Sequence, residues 1–265
     1  MWRLGSGNDS SKDAGVAIDK LENPHTSSVA RIEFSPVKTV AGYQFVTAGE
    51  NGSSKLWRWS ATGNGFQLHR DLTIPGVRCI DVRYLPDGSR LVMAGSDGRL
   101  RLVPIEKDRP PSRELRLPSG LSATCVSVSK SGRYIAAGAS DHSAYLYDLQ
   151  NGSQQPVAEM TGHADQIESI RIISDESGIT RVVTASRDKS VRLWDPRLTS
   201  LTESEKRASR SEAFEILALR RHAAGVTAVE ATEDATLLLT AGADGKVFVW
   251  PAPLARNVVD GADRR

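Results

Sequence analysis

Short alternations of apolar and polar residues recur along this chain, separated by turns rich in Gly, Asp, Asn and Ser. Five segments share one pattern: an apolar pair, a small-residue turn holding an acid or amide, then an apolar strand. They read VTAGENGSSKLW (46–57), VMAGSDGRLRLV (92–103), AAGASDHSAYLY (136–147), VTASRDKSVRLW (183–194) and LTAGADGKVFVW (239–250). Each turn residue precedes the closing residue by six positions: Asn51 and Trp57, Asp97 and Val103, Asp141 and Tyr147, Asp188 and Trp194, Asp244 and Trp250. Successive turn residues lie 46, 44, 47 and 56 positions apart, so the chain is a repeat. Helical periodicity appears over no useful length.

Within one unit the pattern predicts antiparallel strands. In the fourth, IESIRIIS (167–174), TRVVTAS (180–186) and SVRLWD (190–195) read as three successive strands, rich in β-branched and aromatic residues. VAEMT (157–161), just before them, reads as the outer edge of the same sheet. Such a sheet cannot bury both faces alone. Stacked radially, each covers its neighbour and leaves only short edges.

The motifs resemble the WD40 repeat family of β-propellers. Gly162-His163, Thr184, Asp188 and Trp194-Asp195 carry the closest match, followed by His222, Thr240, Asp244 and Trp250. The first unit has His25, Thr47, Asn51 and Trp57, with an amide in place of the carboxylate. In units two and three, Pro75 and Ser119 stand where His belongs, Ala137 replaces Thr in the third, and Val103 and Tyr147 replace Trp. The resemblance implies an all-β propeller of four-stranded antiparallel blades, about five of them visible, in which His, Ser/Thr, Asp and Trp form a buried hydrogen-bonded tetrad. Buried carboxylates need such donors.

Domain limits follow the repeat. Residues 1–14 read as the remnant of a preceding repeat plus a flexible loop. Repeats fill 15–254, at about 15–59, 66–104, 113–149, 155–197 and 213–251, with a polar insertion at 199–212 and a tail at 255–265. Met1-Trp2-Arg3-Leu4 matches the end of a strand such as Leu56-Trp57-Arg58-Trp59. That favours part of a larger propeller over a closed five-blade ring completed by residues 15–21.

Composition removes several function classes. With 39% hydrophobic and 25% charged residues the chain can bury a real core, and a net charge of +2 gives no electrostatic case for nucleic acid or an anionic membrane. No apolar run is long enough to span a bilayer, and two cysteines make no disulfide framework. Cys79 and Cys125 fall in first strands, where a thiol acts as a small apolar residue.

No constellation for catalysis emerges. Asp141-His142-Ser143 has triad residue types, but neighbours in a tight turn cannot orient one another. His163, Asp165 and Glu168 do not make a metal site, because the repeat already uses His163. GENGSSK (49–55) lacks a phosphate-loop core.

The sequence therefore points to a non-enzymatic, intracellular protein-interaction scaffold, with no cofactor, metal, nucleic acid or membrane. The resemblance places partner contacts at positions flanking the first apolar residue of each first strand and before each turn acid. The large or charged side chains among these are Glu50, Arg78, Gln166, Glu168 and Arg187. The alternative is a sensory, regulatory or ligand-binding propeller of a larger, bacterial multidomain protein or enzyme.

Overall fold

The computed structural model describes residues 21, 25–38, 42–59, 65–106, 113–174, 180–196 and 215–252. Residues 1–14, 199–212 and 255–265 lie outside them, as do 15–20, so the expectations placed there are not addressed by the structure.

The described residues form five antiparallel sheets in chain order. The first holds β1 (Val29–Phe34), β2 (Gln44–Gly49), β3 (Ser54–Trp59) and β4 (Phe66–Asp71). The second holds β5 (Cys79–Tyr84), β6 (Arg90–Gly95), β7 (Arg99–Pro104) and β8 (Arg113–Arg116). The third holds β9 (Ala123–Val128), β10 (Tyr134–Ala139), β11 (Ala144–Asp148) and β12 (Ala158–Met160). The fourth holds β13 (Ile167–Ser174), β14 (Thr180–Ser186), β15 (Val191–Trp194) and β16 (Glu215–Leu219). The fifth has three described strands, β17 (Val226–Ala231), β18 (Leu237–Gly242) and β19 (Val247–Pro251). The architecture is a β-propeller of about five blades, with the first strand of each sheet innermost.

One expectation is corrected. The segment at 157–161 does not edge the fourth sheet: β12 pairs with β11 of the third, Ala144 opposite Met160 and Leu146 opposite Ala158. The same holds for β4, β8 and β16, each hydrogen-bonded to the strand before it. A short antiparallel return is satisfied locally. The sequence repeat and the sheet are thus offset by one strand.

The core lies between sheets. Val46, Leu56, Val82 and Leu91 join the first to the second. Leu100, Leu115, Ile135 and Tyr147 join the second to the third. Met160, Ile170, Val182 and Trp194 join the third to the fourth, and Val183, Leu193, Val229 and Leu238 the fourth to the fifth. Each large apolar side chain buried there contributes about 1.5–3 kcal/mol. The innermost strands pack in sequence, β1 on β5, β5 on β9, β9 on β13 and β13 on β17. Among the described residues no comparable junction joins β17 to β1.

Candidate functional site

The second-to-third-strand turns are built alike. The residue after each turn acid or amide is left-handed: Gly52, Gly98, His142 (φ 68°), Lys189 (φ 72°) and Gly245. In the fourth sheet, Asp188 Oδ2 accepts from His163 Nδ1 at 2.8 Å and the Ala164 N–H at 3.0 Å. Its Oδ1 accepts from the Ser190 N–H at 2.9 Å and hydroxyl at 2.6 Å. Thr184 Oγ1 lies 2.6 Å from His163 Nε2 and accepts from Trp194 Nε1–H at 2.8 Å. This network assigns the Nδ1–H tautomer, so that the threonine hydroxyl donates to Nε2. Burial opposes ionisation of Asp188, but the bonds from His163, Ser190 and Ala164 outweigh it and hold the carboxyl well below the usual carboxylate range. Beyond the tryptophan, Asp195 pairs with Arg181 at 3.1 Å.

The fifth sheet repeats this bracket. His222 Nδ1 lies 3.0 Å from Asp244 Oδ1, His222 Nε2 2.9 Å from Thr240 Oγ1, and Trp250 Nε1–H donates to Thr240 at 3.0 Å. The Ala223 N–H and His222 bring the Asp244 carboxyl down to about 2.

The first sheet departs from the expected arrangement. His25 Nε2 still meets Thr47 at 2.7 Å and Trp57 donates to Thr47 at 2.9 Å. His25 Nδ1, however, bonds to the Ser53 hydroxyl instead of Asn51. Asn51 Oδ1 accepts from Ser53 N–H at 3.1 Å and its hydroxyl at 2.7 Å, while its amide donates to Thr26 at 2.7 Å. Serine, which can both donate and accept, stands between two groups that no longer share a charge.

Sheets two and three satisfy their turn acids in a way the sequence reading missed. Asp97 is held by the Arg101 guanidinium at 3.0 and 2.5 Å, and Asp141 by the Tyr145 hydroxyl at 2.6 Å. Both partners lie four residues beyond the acid, where strand alternation points the side chain back over the turn. The Arg101 bonds lower the Asp97 carboxyl. Ser143 N–H caps Asp141 Oδ1 at 3.0 Å, so Asp141-His142-Ser143 is a turn.

Beside these turns lies a rim. Every innermost strand begins with a register shift, at Val29/Arg31, Cys79/Asp81, Ala123/Cys125, Ile167/Ser169 and Val226/Ala228. The bulged residues are Ala30, Ile80, Thr124, Glu168 and Thr227. A backbone bond ties each entry to its turn: Glu50 N–H to Ser28, Ser96 to Arg78, Ser140 to Ser122, Arg187 to Gln166 and Ala243 to Gly225. Bulges re-aim side chains and strengthen local twist. Glu50, Arg78 and Arg187 are exposed, Gln166 and Glu168 half-buried. Glu168 and Arg187 form an ion pair; Glu50 and Arg78 stand on the first and second sheets.

The fifth position of each innermost strand turns inward: Glu33, Arg83, Ser127, Arg171 and Glu230. All five line a cavity of about 290 Å³. Arg83 meets Glu33 at 2.8 Å across the first junction, and Arg171 grips Glu230 with bonds of 2.9 and 2.8 Å across the last. Burial lifts the Glu33 carboxyl, while Asp81 and Glu33 overcome burial to keep Arg83 charged. Burial also pushes the Cys79 and Cys125 thiols up, to about 11 and about 12. Among the described residues no group of three or more His, Cys, Asp or Glu is placed to hold a metal ion. No described helix is long and apolar enough to cross a membrane.

Sheets of this order, with His–Thr–Trp brackets, define a WD-repeat propeller. The description "WD domain, G-beta repeat" matches residues 67–103, 115–148, 154–195 and 215–251, more than half of the sequence, and the chain belongs to the WD40 family. The chain is similar to the guanine nucleotide-binding protein subunit beta-2 of Nicotiana tabacum, 25% identical over 185 residues, covering 66% of this chain and 46% of that protein. It is also similar to the E3 ubiquitin-protein ligase COP1 of Pisum sativum, 31% identical over 110 residues (41% of this chain, 15% of the relative). Against the Denticleless protein homolog A of Xenopus laevis, identity is 35% over 86 residues (32% and 12%). The chain spans less than half the length of each of these relatives.

Proposed function

We propose that this chain is a non-catalytic scaffold that holds proteins or peptides on the rim made by the entry loops and the second-to-third-strand turns. The observation that supports this most is the five-fold bulge, tied to its turn by the same backbone bond in every sheet. Side chains presented from so rigid a base lose little freedom on binding. Glu50, Arg78, Gln166, Glu168 and Arg187 are the proposed anchors, with Glu168 and Arg187 acting as a pair. The mixture of signs suits a partner segment of mixed charge.

A non-catalytic role is supported by the chemistry of the turn acids and repeat histidines, whose hydrogen-bonding capacity is committed to structure. An intracellular setting suits the two unpaired, buried thiols. The relatives named above include a guanine nucleotide-binding subunit and a ubiquitin ligase, so the repeat names no partner by itself.

The test is affinity capture with Arg78→Ala, Glu168→Ala and Arg187→Ala, identifying retained proteins against the unaltered chain. Loss of a shared partner from at least one variant with unchanged thermal unfolding is expected. If all three retain every partner, the rim is not the contact face.

A second reading, a ligand-binding or regulatory propeller within a larger protein, draws on the charged cavity of about 290 Å³. There a ligand must displace existing ion pairs, so Arg83→Gln and Arg171→Gln would abolish a ligand-induced rise in unfolding temperature. The rim variants would leave that rise intact.

A further inference from the structure

In chain order the fifth positions of the innermost strands run acid, base, hydroxyl, base, acid: Glu33, Arg83, Ser127, Arg171 and Glu230. Each arginine is turned to the acid on its outer side, Arg83 to Glu33 and Arg171 to Glu230. Between them, Ser127 Oγ accepts from the Ile172 N–H at 3.1 Å and retains its own hydrogen to donate. Arg83 commits Nε to the Val126 carbonyl and Nη1 to Glu33. Its Nη2, 3.7 Å from Asp81, makes no hydrogen bond among the described residues. Asp81 in turn is balanced by Arg31 at 3.4 Å.

A second cavity, of about 280 Å³, adjoins this one and shares Val128, Arg171 and Glu230 with it. It adds an aliphatic wall of Ile172, Ile173, Ala231 and Ala235. On its solvent side Lys130 and Glu233 pair at 3.0 Å with both side chains largely exposed, so this contact opens at little cost. Both cavities lie toward the hairpins that follow the innermost strands, at the opposite end from the rim.

Every charge in this region already has its opposite. An anion entering alone would draw Arg171 from Glu230 and leave that carboxylate unmatched; a cation alone would strand the arginine. A ligand that brings one charge of each sign replaces both halves of a pair. The site therefore discriminates through the charge that a wrong ligand leaves unpaired. We propose, resting on the ligand-binding reading above, that the adjoining cavities bind a small zwitterion with an aliphatic side chain, an α-amino acid of the leucine class. Its carboxylate lies beside Ser127 between the two arginines, and its ammonium meets Glu230. Its side chain enters the second cavity along Ile172 and Ala231.

Thermal unfolding of the full chain against leucine, glycine, N-acetyl-leucine and leucinamide provides the test. The last two keep the side chain but carry only the carboxylate or only the ammonium, as the last and first residues of a peptide do. Leucine should raise the unfolding temperature saturably. Glycine should raise it less at equal concentration, and the two single-charge compounds not at all. Arg171→Gln and Glu230→Gln, each checked for folding by circular dichroism, should abolish the rise. No shift with leucine, or glycine or a single-charge compound matching it, would overturn the proposal. A single-charge rise that Arg171→Gln removes would still leave a ligand-binding cavity. A leucine rise that survives both substitutions would overturn the ligand-binding reading as well, because the ligand would then sit elsewhere.

Discussion

Asp188 gathers four donors, whereas Asn51 accepts two bonds, both from Ser53. The two residues fill the same turn position, yet their removal should cost differently. Asp188→Ala strands His163, Ala164 and Ser190 donors beneath the fourth sheet and should destabilise by about 1–3 kcal/mol. Asn51 is exposed, water replaces its partners, and Asn51→Ala should cost measurably less. Denaturant midpoints read the order directly; equal losses would mean that the charged bracket adds nothing. The same carboxylates set a pH limit. Those of Asp188 and Asp244 have folded values below the unfolded one of about 3.9. Their contribution is full above that value and is lost as pH falls through the folded values. Stability should therefore drop progressively below about pH 4, and Asp188→Asn should shallow the drop while lowering stability at neutral pH. A profile unchanged by this substitution would remove Asp188 from the acid limb. The bonded residues of the fourth and fifth units were legible through the family resemblance, because Thr184, Asp188 and Trp194 share their spacing with Thr240, Asp244 and Trp250 and a histidine precedes each first strand, although at a different distance. Ser53, Arg101 and Tyr145 were not, because the first reads as an ordinary turn residue and the other two as ordinary strand residues until the turn is folded.

At the scale of the element, the first three strands of the fourth unit were readable nearly to the residue. Their alternation and the intervening turn fix β13 at 167–174 and β14 at 180–186. The outer strand was assigned to the wrong sheet. A three-residue segment such as β12 carries no periodicity that says whether it pairs backward or forward, and only the ladder to β11 decides. The charged cavity was missed for a related reason. Glu33, Arg83, Arg171 and Glu230 lie far apart in sequence and meet only because each is fifth in an innermost strand. The turns give an element-scale prediction. Gly98 and Gly245 share the left-handed conformation, φ 74° and 73°. A Cβ at Gly98 would lie 2.3 Å from the Leu121 carbonyl oxygen, while at Gly245 nothing lies within 4 Å. Gly245→Ala should cost only the left-handed penalty of about 1–2 kcal/mol. Gly98→Ala should cost more, since the loop entering β9 must also move. Comparable midpoints for the two variants would mean that this loop yields freely.

Across the whole molecule, the sheets follow one another in a curved row around a shared cavity, with an exposed Lys130–Glu233 ion pair between the third and the fifth, and the apolar contact lies between neighbours, so stability is largely a sum of junctions. The second, third and fourth sheets are covered on both faces, and β10 and β14 are buried along almost their whole length. The fifth is covered on one face: Leu238 is fully buried while Leu237 and Leu239 on the same strand are open. Local opening of β18 breaks one junction, whereas opening β14 breaks two. Amide hydrogen exchange in dilute solution should therefore be faster along β18 and β19 than along β10 and β14. Leu238→Ala, which leaves a cavity worth about 2–5 kcal/mol in the last junction, should speed exchange in the fifth sheet with little change in the third. If the two sheets instead exchanged at one common rate and responded together, opening would be global, and the row would behave as a single cooperative body.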